Sequence, residues 1–172
     1  MINKKRKIVI ITCGGTIAKT YTEVTAVLEN VRPVVEDIVA SMRLPYLDIS
    51  YNHLMRKDSL DMDDNDRAAV LTAVKQALET GAEGVVVVQG TDTLSLTGET
   101  IFQAIRNPEI PIVLTGAMRP YVVQGSDAAQ NIAETLFSFH FLKPGVYAVM
   151  HGKMCVFPGV IKDRATMTFT NV

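Results

Sequence analysis

The apolar residues of this chain fall into two alternating kinds of block. Compact β-branched runs sit between turn residues, and longer stretches repeat their apolar positions every three to four residues. Ile8 to Thr12 reads as a first strand, entered from the solvated cluster Lys4, Lys5, Arg6 and Lys7. Pro33 suits a helix start, and Val34, Val35, Ile38, Val39 and Met42 form a helical stripe after it. Leu47, Ile49 and Tyr51 alternate with polar residues as a second strand. Asp63 or Asp64 can cap the next helix, whose stripe is Ala69, Val70, Ala73, Val74, Ala77 and Leu78 and whose stop is Gly81. Gly84 to Val88 sets four valines in a row, which predicts a strand covered on both faces. A short helix is predicted from Thr97 to Ile105, a strand from Ile110 to Gly116, a helix from near Ser126 to about His140, and a strand from Val146 to Met150. Met154 to Phe169 has no helical stripe and reads as strands or loops around a Pro158-Gly159 turn.

Strands alternating with helices predict a three-layer α/β domain around a mostly parallel sheet, spanning residues 1–172 as one unit. In such folds ligands bind beyond the carboxyl ends of the strands. The loops that matter are therefore Gly14-Gly15-Thr16, Arg56 to Leu60, Gly90 to Thr93 and Gly116 to Arg119.

Composition narrows the function classes. The 17 basic and 18 acidic residues leave a formal charge of -1, which gives no electrostatic case for nucleic acid or an anionic membrane. No stretch approaches the ~20 apolar residues of a membrane span. Cys13 and Cys155 do not make a disulfide framework, so a reduced, cytoplasmic setting is expected.

Three chemistries compete for the first loop. A dinucleotide fingerprint lacks its three spaced glycines. A phosphate loop has its closing Lys19-Thr20, but Cys13 and Ala18 occupy the two glycine positions. An ordinary strand-to-helix turn needs nothing more than Gly14-Gly15. The second loop changes the balance, because Gly90-Thr91-Asp92-Thr93 packs two hydroxyls and a carboxylate into three residues where a helix cap needs one. Two threonine loops at neighbouring strand ends suit a nucleophile site. An alcohol then needs a base or a proton network, and Lys153 and Lys162 are the free-standing lysines that could serve, although either also reads as a surface residue. His53, His140 and His151 have no partners at metal-ligand spacing, so neither a metal nor another cofactor is expected.

Thr12-Cys13-Gly14-Gly15-Thr16-Ile17-Ala18 resembles the first signature of bacterial-type L-asparaginases, and Gly90-Thr91-Asp92-Thr93 resembles their second. Lys57-Asp58-Ser59-Leu60-Asp61-Met62, Gly116-Ala117-Met118-Arg119-Pro120, and Ser126-Asp127 followed by Asn131 match further segments in the same order. The resemblance covers essentially the whole chain and implies a flavodoxin-like fold. It implies that Thr16 attacks the side-chain amide of L-asparagine to give an acyl-enzyme and ammonia. Tyr21 would sit on a lid and help activate Thr16. Thr91, Asp92 and Lys162 would handle the proton and the attacking water. Ser59, Leu60 and Asp92 would meet the substrate's α-groups, and Gly15, Gly90 and Ala117 would line its amide.

The chain departs from the pattern at Cys13 for threonine, Leu60 for glutamine and Ala128 for glycine, and by the short interval from Thr16 to Tyr21. Family members run to roughly twice this length, so the resemblance is to the N-terminal catalytic domain alone, with weaker substrate affinity expected. It also implies a homo-oligomer, dimer or tetramer. Glutamine hydrolysis, an amidotransferase-associated amidase subunit, and a non-enzymatic amino-acid-binding domain remain the alternatives.

Overall fold

The four valines from Val85 to Val88 lie at the middle of a six-stranded sheet, and their side chains divide between its two faces. The computed structural model describes residues 4–171. Its strands are β1 (Arg6–Gly14), β2 (Thr20–Thr22), β3 (Val27–Glu29), β4 (Leu47–Lys57), β5 (Gly84–Val88), β6 (Pro111–Thr115), β7 (Gly145–Met150), β8 (Lys153–Val156), β9 (Val160–Asp163) and β10 (Thr168–Asn171). Its helices are α1 (Val35–Ala40), α2 (Asp64–Glu79), α3 (Leu94–Ala104) and α4 (Ala128–Ser138).

The central sheet runs β4-β1-β5-β6-β7-β8, parallel except for β8, which returns antiparallel along β7. With the small β2–β3 pair set aside, the five parallel strands have the doubly wound order 2-1-3-4-5 of flavodoxin-like folds. The order reverses between β1 and β5, and ligand crevices form at such a switch point.

Strand alternation builds the two outer layers. Ile11, Val85, Val87, Ile112 and Leu114 face α2 and α3, where Val70, Val74, Leu94 and Ile101 are fully buried. Ile8, Ile10, Val86, Val88 and Val113 face α1 and α4, against Val35, Ile38, Ile132 and Leu136. Asp63 caps α2 in a reciprocal capping box with Asp66.

The elements read from periodicity are present, with shifted ends. β1 runs on to Gly14, because its register with β4 continues through a bulge to Lys57. Helix α1 begins at Val35, two residues past Pro33. Helix α3 begins at Leu94, before Thr97, since Leu94 and Ile101 share the buried face. Helix α4 begins at Ala128, two residues past Ser126, because Asp127 stands at its N-cap. The β2–β3 hairpin has no counterpart in the sequence reading. Its exposed Tyr21, Val24, Val27 and Leu28 rest on no buried face, so no alternation marks it. The stretch from Met154 to Phe169 resolves into β8, β9 and the start of β10, with a cis Phe157-Pro158 bond at the turn. No helix among the described residues is long and apolar enough to cross a membrane.

Candidate active site

Four loops meet at the switch point, and glycines let their backbones touch. Gly15 has φ +84, a conformation that side chains disfavour, and a Cβ there would fall 2.1 Å from the Gly90 nitrogen. A Cβ on Gly90 would fall 2.6 Å from Ser59 Oγ. A Cβ on Gly116 would fall 2.3 Å from the Gln89 carbonyl oxygen. The ends of β1, β5 and β6 and the loop after β4 are thus held in direct backbone contact. The Gly15 amide also donates to the Lys57 carbonyl at 2.8 Å.

Thr16 opens a single 3-10 turn over Thr16–Ala18 and is part-buried. Cys13, three residues earlier, lies wholly inside, and burial pushes its thiol up to about 12. A thiol of that kind is no nucleophile at neutral pH.

The second loop uses its polar side chains across the site and leaves its helix without a side-chain cap. Thr93 stands at the N-cap of α3 without capping it, and its hydroxyl donates to the Ser59 carbonyl at 2.8 Å. Lys162 Nζ donates to Thr91 Oγ1 at 2.8 Å and to Asp92 Oδ1 at 2.9 Å. The Lys162 side chain is only 10% exposed, so the surface-lysine reading is set aside. Arg164 approaches the same Asp92 oxygen at 3.4 Å. Thr91 is buried and points its own hydroxyl at Met118 Sδ, 3.5 Å away, a weak acceptor.

Lys162 reaches this loop because β9 is anchored under α3. The Phe157 ring fills the space where Gly98 has no side chain, at 2.0 Å from a Cβ built there. The Gly159 amide donates to Glu99 at 2.7 Å. β9 then pairs with β10, with Lys162 opposite Phe169.

Ser59 is buried, and its hydroxyl has no partner among the described residues. Asp58 caps the short turn around it and forms an ion pair with Lys19 at 2.7 Å. The Lys19 hydrogen bond holds the Asp58 carboxyl below the usual carboxylate range. Leu60 is 70% exposed, with its side chain turned outward. Tyr21 is on β2 and 57% exposed, opposite Leu28 of the hairpin. Ala117 is fully buried.

The loop that carries Ala117 is fastened from behind. Asp127 accepts from the Met118 amide at 2.9 Å, the Arg119 amide at 3.0 Å, Asn131 Nδ2 at 2.8 Å and His151 Nε2 at 2.7 Å. Burial works against this carboxylate, and the bonds from Met118, His151 and Arg119 outweigh it, leaving its titration below the usual range. His53 bridges Thr12 Oγ1 at 2.9 Å and Glu36 at 2.6 Å, joining β1, β4 and α1 beneath the first loop. The sequence reading found no role for His53 or His151. Their partners are 17 to 41 residues away, and no local pattern announces them.

The family model described as "Asparaginase, N-terminal" matches residues 7–170. An L-asparaginase of Thermococcus kodakarensis is 30% identical over 148 residues, covering 86% of this chain and 45% of that protein. A glutamyl-tRNA(Gln) amidotransferase subunit of Methanococcus maripaludis is 31% identical over 151 residues, covering 87% of this chain and 36% of that protein. Among solved structures, the thermostable L-asparaginase of Thermococcus kodakarensis superposes with a TM-score of 0.87 at 28% identity, over 96% of this chain and 51% of that one. A probable cytoplasmic L-asparaginase of Campylobacter jejuni gives 0.77 at 26% identity, over 97% and 52%. The chain spans about half the length of these solved structures and less than half of the two sequence relatives.

Proposed function

The chain belongs to the asparaginase family, matching its N-terminal domain, and from that membership we propose that it hydrolyses L-asparagine to L-aspartate and ammonia through a threonine acyl-enzyme. Thr16 Oγ attacks the side-chain carbonyl carbon. The oxyanion that forms meets backbone N–H groups of the glycine turn, which need no reorganisation to receive it. The C–N bond then breaks and the leaving NH2 takes up the proton given up by the Thr16 hydroxyl, departing as ammonia, while Thr16 holds the aspartyl group as an ester. Water cleaves that ester in the second half-reaction. Thr91 accepts the water's proton on the lone pair that Lys162 leaves free and passes its own O–H proton, held by a sulfur, to the departing Thr16 oxygen. Asp92 and Ser59 take the substrate's α-amino and α-carboxyl groups. The hairpin bearing Tyr21 acts as a lid that brings the phenol toward Thr16.

One observation carries this reading. Lys162, Thr91 and Asp92 converge from 70 residues apart onto a loop that touches the Thr16 turn through Gly15 and Gly90. Purified protein is expected to release ammonia from L-asparagine, and Thr16→Ala to abolish release while leaving the melting temperature near that of the unaltered protein. Near-full activity in Thr16→Ala would overturn the mechanism.

The amidotransferase relatives favour a second reading, in which the same chemistry serves a partner chain. In that case the purified chain alone releases little ammonia until its partner is added.

A further inference from the structure

Ser59 sits in an electrostatic setting that does not by itself suit a carboxylate ligand. Asp58, the residue before it, is an anion, and Leu60, the residue after it, presents an exposed hydrocarbon side chain. Lys57 is turned away toward α2, with its ammonium 2.7 Å from both oxygens of Asp66. Lys19 arrives from a different segment, where the 3-10 turn after Thr16 leads into β2, and places its ammonium 2.7 Å from Asp58 Oδ2. Neither partner is sealed off, since the two side chains are 30% and 28% exposed. An ammonium has three donors, and this contact uses one of them.

We propose that Lys19 is a substrate-binding residue that makes the Ser59 loop selective for amides carrying an α-carboxylate. Its ammonium neutralises Asp58 and donates to the ligand's carboxylate beside Ser59 Oγ, a hydroxyl with no partner among the described residues. Lys19 supplies the donor that Leu60 cannot. The inference rests on the reading of Ser59 as the carboxylate site, and it assigns Lys19 and Asp58 opposite effects. Lys19 attracts the carboxylate, and Asp58 repels it when left alone. A plain clasp between the hairpin root and the Ser59 loop would make both residues equally necessary.

The test compares Lys19→Met, Asp58→Asn and the double variant on L-asparagine and on β-alaninamide, which keeps the amide and amine but has no α-carboxylate. Asn at position 58 retains an acceptor for the Leu60 amide, so the turn is preserved. Lys19→Met is expected to lower kcat/KM for L-asparagine about tenfold through KM, and to change β-alaninamide by less than about twofold. Asp58→Asn is expected to match or exceed the unaltered protein on L-asparagine, and the double variant to recover part of the Lys19→Met loss. Equal losses in both single variants on both substrates would overturn the proposal. Calorimetric titration with L-aspartate separates this result from the fate of the amidohydrolase reading. If no ammonia is released but L-aspartate binds, weaker binding in Lys19→Met sustains the carboxylate role and unchanged binding overturns it. If no ammonia is released and L-aspartate does not bind the unaltered protein, both readings fail.

Discussion

A methyl group on Gly90 would lie 2.6 Å from Ser59 Oγ, 2.7 Å from Ser59 Cβ and 3.0 Å from the Ser59 amide nitrogen. The first two contacts are shorter than a carbon tolerates and the third, to backbone, is tight, so the Ser59 side chain and the loop that carries it must give way. Gly90→Ala is expected to cost about 1–3 kcal/mol of stability, the range for overpacking. Its effect on L-asparagine turnover should be larger, at least about tenfold, because displaced binding groups lose geometry before the fold is lost. Steady-state kinetics beside a urea titration separates the two. Gly90, Thr91 and Asp92 were legible in the sequence as a loop crowded with polar residues, while Thr16 sat in a turn that gained meaning only beside that loop. Lys162 was not legible in this way. Its partners lie 70 and 71 residues back in the chain, so residue pattern alone does not separate it from Lys153, and only the family resemblance singled it out.

At the scale of elements, the strands with two buried faces were the easiest to read, because a run such as Val85 to Val88 has few other structural uses. Helix ends were harder. Thr93 and Asp127 stand at N-cap positions, yet each sends its side chain to another loop, and the sequence reading started these helices at Thr97 and near Ser126 instead. The exposed β2–β3 hairpin escaped detection for the opposite reason, having no buried side to set a period. The β9–β10 hairpin is the element with the clearest consequence. It is held by Phe157, 3% exposed, seated against Gly98 of α3. Phe157→Ala is expected to cost about 3–5 kcal/mol. In the fraction that stays folded, Lys162 loses its anchor, so specific activity should fall further than the folded fraction measured by circular dichroism.

Across the whole molecule, the carboxylates Asp58, Asp66, Glu83, Asp127 and Asp163 all titrate below their ordinary values in the folded state. The unfolded chain therefore takes up their protons first. The stability they confer is fully present above the unfolded carboxylate range of about 4 and is lost as the pH falls through the folded values. Melting temperature is expected to stay level from about pH 7 to about pH 5 and to drop below about pH 4. Asp127→Asn should lower the plateau and flatten the acid limb, since Asp127 joins α4, the Ala117 loop and His151. The two faces of the sheet share β1, β5 and β6, so this loss should appear as one transition. The β9–β10 hairpin forms its own two-stranded sheet, tied to the central one through Val160 and Phe169 in the shared core. Its turn over Arg164 to Met167 is exposed, while β10 borders β8 through the Asn171 side chain bonded to Val156. A protease that nicks this turn would loosen the pairing that steadies Lys162 and leave the parallel sheet standing. Activity and fold would then age on separate clocks: the protein could fall silent long before it melts.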